Sequence, residues 1–231
     1  MRSGKRLATV LFLVAAFMLV VVSAVSAGGP KSLDEAKKMA LTRGVPLLVN
    51  VNGEWSSGCK DFKKASSQDN QIRKALKQVV FYTASGEKSE CKALTKKLNV
   101  NGLPDFVLLN SSGDMINCWS GFDQAEGFIK RVQLALEDPI TVEERLVRYS
   151  EKPTANDAVL LARVHAAQSE GKKAVGFYRA ACKLDSDRRA ELVYPIFEAS
   201  ASGMKGKTLD AKAVFQAADD VLREGNASSW E

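Results

Sequence analysis

Trp55-Ser56-Ser57-Gly58-Cys59 ends an apolar run and opens a predicted helix, where a redox centre would carry Trp-Cys-x-x-Cys. One thiol is missing. In a dithiol centre the helix N-terminus lowers the pKa of the first thiol, and its thiolate attacks the target disulfide. Ser56 holds that first position. A hydroxyl does not ionise near neutral pH without a strong base and forms no disulfide, so the attacking nucleophile is gone.

The flanking residues place the motif in a recognisable order. Leu47-Leu48-Val49-Asn50-Val51 is a short, mostly apolar run of the kind expected for a strand buried on both faces, and Gly44-Val45-Pro46 before it stops a helix. Downstream, Asn101-Gly102-Leu103-Pro104 precedes a second buried run, Phe106-Val107-Leu108-Leu109, with Pro104 lying 45 residues after Cys59. Asn110-Ser111-Ser112-Gly113-Asp114 reads as a hairpin turn, and Met115 to Trp119 as the return strand before Gly121.

Together these segments resemble the thioredoxin family over roughly residues 32 to 136. Trp55, Cys59 and Lys60 match that family's active-site turn, Gly102 and Pro104 its cis-proline loop, and Gly113 and Gly121 the hairpin and the glycine after the last strand. The resemblance implies an α/β fold, a thioredoxin-like mixed sheet covered by helices. It also implies a cis Leu103-Pro104 bond lying against the active-site turn. A groove between Trp55 and Leu103-Pro104 that holds an extended polypeptide is a further implication.

A second departure accompanies Ser56. The family has a buried acid on the first strand that moves protons to and from the resolving cysteine, whereas Asn50 carries an amide, which is neither a general acid nor a general base. The resemblance therefore implies a retained fold and a lost dithiol reaction. Two readings of Cys59 stand: a small packed helix residue, or a thiol that still works alone.

Arg2, Lys5 and Arg6 precede an apolar stretch from Leu7 to Val22 and the small residues Ser23 to Ala27, the pattern of an export signal over residues 1–27. The stretch also approaches the roughly 20 apolar residues of a spanning helix, so an uncleaved membrane anchor is the alternative. Without Arg2, Lys5 and Arg6 the basic count falls from 33 to 30 against 27 acids, a net charge of +3. Basic residues are scattered among acidic ones with no aromatic-basic stripe, which argues against nucleic acid as a partner. Cys59, Cys91, Cys118 and Cys182 permit disulfides in an oxidising compartment, and Cys182 is expected to be unpaired and packed. Their spacing matches no metal motif, and no metal or cofactor is expected.

Residues 28–136 otherwise read as alternating helix and strand, beginning with a capping box in which Ser32 caps a helix to Arg43 and Glu35 answers back. A helix continuing from Asp69 to Lys77, a strand at Val79 to Tyr82, a helix opened by Cys91 and a helix from Phe122 to Leu136 complete the set. After Glu137-Asp138-Pro139 the strand signals vanish. Ala158, Leu161, Ala162, His165, Ala174, Tyr178 and Ala181, with Gly171 at the turn, fit a tetratricopeptide-like helical region over residues 137–224. Ala211, Phe215 and Ala218 repeat part of that spacing, His165 reads as a packed helix residue, and residues 225–231 read as a flexible tail. Two repeat units are too few to stand alone, so the helical region is expected to dock on the first domain.

Two functions fit these residues. One is an exported, redox-degenerate thioredoxin-like protein that binds polypeptide or a protein partner through Trp55, Leu103 and Pro104. The other is a monothiol disulfide oxidoreductase or isomerase acting through Cys59, with Cys91 to resolve the mixed disulfide.

Overall fold

The computed structural model describes residues 29–100 and 102–228. The export-signal reading of residues 1–27 lies outside them. Helix α1 spans Leu33–Arg43; Ser32 accepts the Glu35 N–H as expected, while the Glu35 carboxylate takes the Lys31 N–H at 2.7 Å. Gly44 ends the helix with a left-handed φ of 61°, a conformation glycine adopts without steric cost.

Strand β1 (Leu47–Asn52) follows, then α2 (Ser57–Gln68) and α3 (Asn70–Leu76). Asp69 separates these two helices, because its carboxylate caps the second by accepting the N–H groups of Gln71 and Ile72. Next come β2 (Val80–Ser85), α4 (Ser89–Leu98), β3 (Asp105–Leu109), β4 (Met115–Ser120) and α5 (Ala125–Glu137). The sheet order is β2-β1-β3-β4, with β1 and β2 parallel and the other pairs antiparallel. In the β3–β4 turn the Asn110 side-chain oxygen accepts the N–H groups of Ser112 and Asp114. Helix α5 starts at Ala125, three residues later than the pattern suggested, and Phe122 packs as a loop residue against the aromatic cluster of that face.

Both faces of the sheet are covered. On one, Leu48, Phe106, Leu108 and Trp119 pack against Phe62 of α2, Ile72 of α3 and Phe128 and Val132 of α5. On the other, Leu47, Val49, Val107 and Cys118 pack against α1 and α4. This second face is completed by Val164 and Ala167, which belong to the helical half.

That half consists, among the described residues, of α6 (Val142–Glu151), α7 (Ala155–Ala167), α8 (Gly171–Leu184), a 3₁₀ turn (Ser186–Arg188), α9 (Arg189–Lys205) and α10 (Ala211–Ser228). Helix α7 lies against β4, where the carbonyl of Val164 faces Cys118 Sγ at 3.9 Å. Gln168 donates to the carbonyl of Leu98 and Asn99 donates to that of Gln168, both at 2.9 Å. Gly171 fits only as glycine, since a Cβ there would lie 2.4 Å from the backbone of Ala199.

Ala158, Ala162, Ala174, Tyr178 and Ala181 are buried between α7, α8 and α9. In α10 the pattern differs. Ala211 and Phe215 are exposed, and Ala217 is the residue buried against α9. The helix packs chiefly on α9, so one narrow side is covered and the repeated spacing has no second layer to fill. It also runs on to Ser228, into the stretch read as a tail, since one glycine within a helix costs only about 1 kcal/mol. No helix among the described residues is long and apolar enough to cross a membrane.

Candidate functional site

The Trp55 to Cys59 turn lies at the carboxyl end of β1, where the backbone leaves the sheet and enters α2. Ser56 is the N-cap of α2, and its Oγ accepts the Cys59 N–H at 3.4 Å. The same hydroxyl donates to the carbonyl of Leu103 at 3.0 Å. The residue in the nucleophile's place therefore spends its one proton on the proline loop. The Leu103-Pro104 bond is cis, as the resemblance implied. Pro104 lies against the turn, where a Cβ on Gly58 would come within 3.1 Å of its Cδ.

Cys59 is 2% exposed and Trp55 76%. The thiol accepts a hydrogen bond from the Gly53 N–H at 3.4 Å and carries no disulfide. Gly53 is itself constrained, because a Cβ there would meet Leu103 Cδ1 at 2.8 Å. The site thus presents a flat indole beside an apolar loop, with a hydroxyl already bonded and a thiol beneath the surface. Cys91 is buried on the α1 and α4 side of the sheet. Cys118 is buried on the same side, and burial, followed by the charge of Asp105, pushes its thiol up. Cys182 is half-buried and carries no disulfide.

Asn50 is 3% exposed, and its side-chain oxygen has no hydrogen-bond partner. Its register opposite Phe106 sets it on the aromatic side of the sheet. His165 is buried as predicted, stacked on Phe177 with ring centroids 5.3 Å apart and its Nδ1 2.5 Å from Glu170 Oε2. Among the described residues, no group of three or more His, Cys, Asp or Glu side chains is placed to hold a metal ion.

The residue the sequence reading passed over is Asp105, directly after the cis proline. It is 1% exposed, and its carboxylate accepts the Gly102 N–H at 2.6 Å and the Ser120 hydroxyl at 2.5 Å. Burial pushes this carboxyl above its usual range, against the lowering effect of those two donors. The loop is shaped around it, since a Cβ on Gly102 would lie 2.5 Å from Asp105 Oδ1. An acid opening an otherwise apolar strand was the available signal.

Residues 33–135 match the family described as thioredoxin-like domain. The thiol:disulfide interchange protein DsbD of Yersinia enterocolitica is 31% identical over 99 residues, covering 41% of this chain and 17% of that protein. DsbD of Escherichia coli K12 is 31% identical over 86 residues, covering 36% and 15%. The chain thus spans about a sixth of the length of these curated relatives. Among solved structures, the C-terminal domain of Neisseria meningitidis DsbD in the reduced form is similar at a TM-score of 0.39 and 23% identity, covering 44% of this chain and 91% of that one.

Proposed function

With residues 33–135 a thioredoxin-like domain, we propose that this protein binds an extended polypeptide, or a partner protein, at Trp55 and the Leu103-Pro104 loop and performs no dithiol exchange there. The observation that carries this reading is the Ser56 hydroxyl bonded to the Leu103 carbonyl, with Cys59 sealed beneath it. Thiol–disulfide exchange needs a thiolate that can reach the target sulfur in line. Ser56 supplies none, and the remaining sulfur is buried. An exposed indole beside a proline loop supplies what an apolar side chain of a bound segment needs, and aromatic anchors dominate the energetics of such contacts.

The basic-apolar-small pattern of residues 1–27 supports export, so the partner is sought outside the cytoplasm. The helical half is proposed as a tetratricopeptide-like pair that stiffens the domain from behind. The rival reading, a monothiol oxidoreductase or isomerase through Cys59, takes its support from the names of the DsbD relatives and from the Gly53 N–H donated to Cys59 Sγ. Two measurements separate them: turnover of a protein disulfide with a thiol reductant, and binding of a reduced, unfolded polypeptide. The binding reading expects no turnover, and binding that weakens about tenfold or more in Trp55→Ala. Robust turnover abolished by Cys59→Ala overturns it and establishes the rival.

A further inference from the structure

A cavity of about 390 Å³ lies where the end of α5, helices α6 and α7 and the 3₁₀ turn meet, away from Trp55 and Pro104. Its charged lining is five basic side chains against three acidic ones. Five of these eight are already engaged. Arg145 and Arg148 both bond the carboxylates of Asp138 and Asp157, with Arg145 at 2.9 Å from Asp138 and 2.7 Å from Asp157. Arg188 is satisfied by Asp185 and by the Asn156 side-chain oxygen.

Arg163 is different. It lines the cavity, donates a hydrogen bond to the Tyr178 hydroxyl and forms no ion pair among the described residues. Burial pulls this guanidinium below its usual range; Arg131 and Arg188 pull the same way against Tyr178 and Glu191. A guanidinium without a carboxylate partner is shaped to take a carboxylate or phosphate by two parallel bonds. Lys152, exposed on the rim, adds a second cation, so that two cations face the one remaining carboxylate, Glu137, while Leu134, Val159 and Leu160 give the cavity an apolar wall. Its size is within the range of sites that enclose small molecules.

We propose that this cavity binds a small organic anion, with its carboxylate or phosphate head on Arg163 and Lys152 and a compact apolar body against Leu134, Val159 and Leu160. The polypeptide site and this one are separate, so either stands without the other.

The test titrates the full chain with phenyl phosphate and, in parallel, benzoate, at fixed ionic strength, following backbone amide resonances by NMR. Saturable binding is expected with shifts confined to the residues around the cavity. Binding of phenyl phosphate alone assigns a phosphate head, and of benzoate alone a carboxylate head. Binding of both assigns a site that reads charge and apolar body together. In Arg163→Met, affinity is expected to fall at least about tenfold, the loss of a charge-assisted bond. Shifts elsewhere, no saturation with either probe, or unchanged affinity in Arg163→Met overturns the proposal. Should that variant fail to fold, Lys152→Met on the exposed rim takes its place, and unchanged affinity there has the same consequence.

Discussion

The Ser56 hydroxyl donates to the Leu103 carbonyl at 3.0 Å, tying the start of α2 to a loop 47 residues away in sequence. The oxygen that replaces a nucleophile thus serves as a latch. Ser56→Ala removes both this bond and the helix cap on the Cys59 N–H. A loss of about 1–2 kcal/mol is expected in urea unfolding. Stability equal to the parent means the latch contributes nothing.

Putting the missing thiol back probes the same geometry from the other direction. Ser56→Cys places a sulfur at the N-cap of α2, three residues before Cys59, with the proline already packed on Gly58. Treatment with oxidised glutathione is expected to join the new thiol to Cys59, because the side chain at position 56 already reaches the Cys59 backbone, 3.4 Å from its N–H nitrogen. Peptide mapping by mass spectrometry reads the outcome. A variant that folds and stays reduced counts against the proposed role of the turn.

Asp105 sets a pH dependence whose sign is the reverse of a salt-bridged acid. Its folded pKa is raised, mainly by burial, so between the unfolded and folded values the native state holds more protons than the unfolded one. Stability contributed by this group therefore grows as pH falls from neutral toward about 4, and is lost on the way back up. Asp105→Asn is expected to flatten that part of the profile in denaturant melts across the range. If both proteins show the same slope, the carboxyl is not the group responsible.

Ala181 is fully buried between helices of the C-terminal half. Ala181→Phe is expected to cost about 1–3 kcal/mol through overpacking. A melting temperature equal to the parent's would mean that the contact is looser than the structure shows.

How much of this was legible depended on how far each cause lay from its residue. Leu47 to Val51 and Phe106 to Leu109 announced buried strands because every position but Asn50 is apolar, and Gly102 and Pro104 marked their loop through the family resemblance. Asp105 was missed because its partners, Gly102 N and Ser120 Oγ, come together only after β3 pairs with β4. Phe215 shows the opposite failure: the Ala211 and Phe215 spacing copies that of Ala174 and Tyr178, yet burial of a helix face needs a neighbour, and periodicity does not supply one. The clasp of Arg145 and Arg148 on Asp138 and Asp157 was equally silent, since charges so close in sequence usually point to water.

Val164 and Ala167 lie some thirty residues beyond the last residue of the family match, yet they seal the sheet beside Val107 and Cys118. The first domain is consequently expected to lose stability when cut free of the second. A fragment ending at residue 136 would leave an apolar strip of β4 bare, and uncovered strips of that kind drive chains to self-associate. The same seam makes β4 and α7 answerable to each other: added bulk at Cys118 would be felt at Val164.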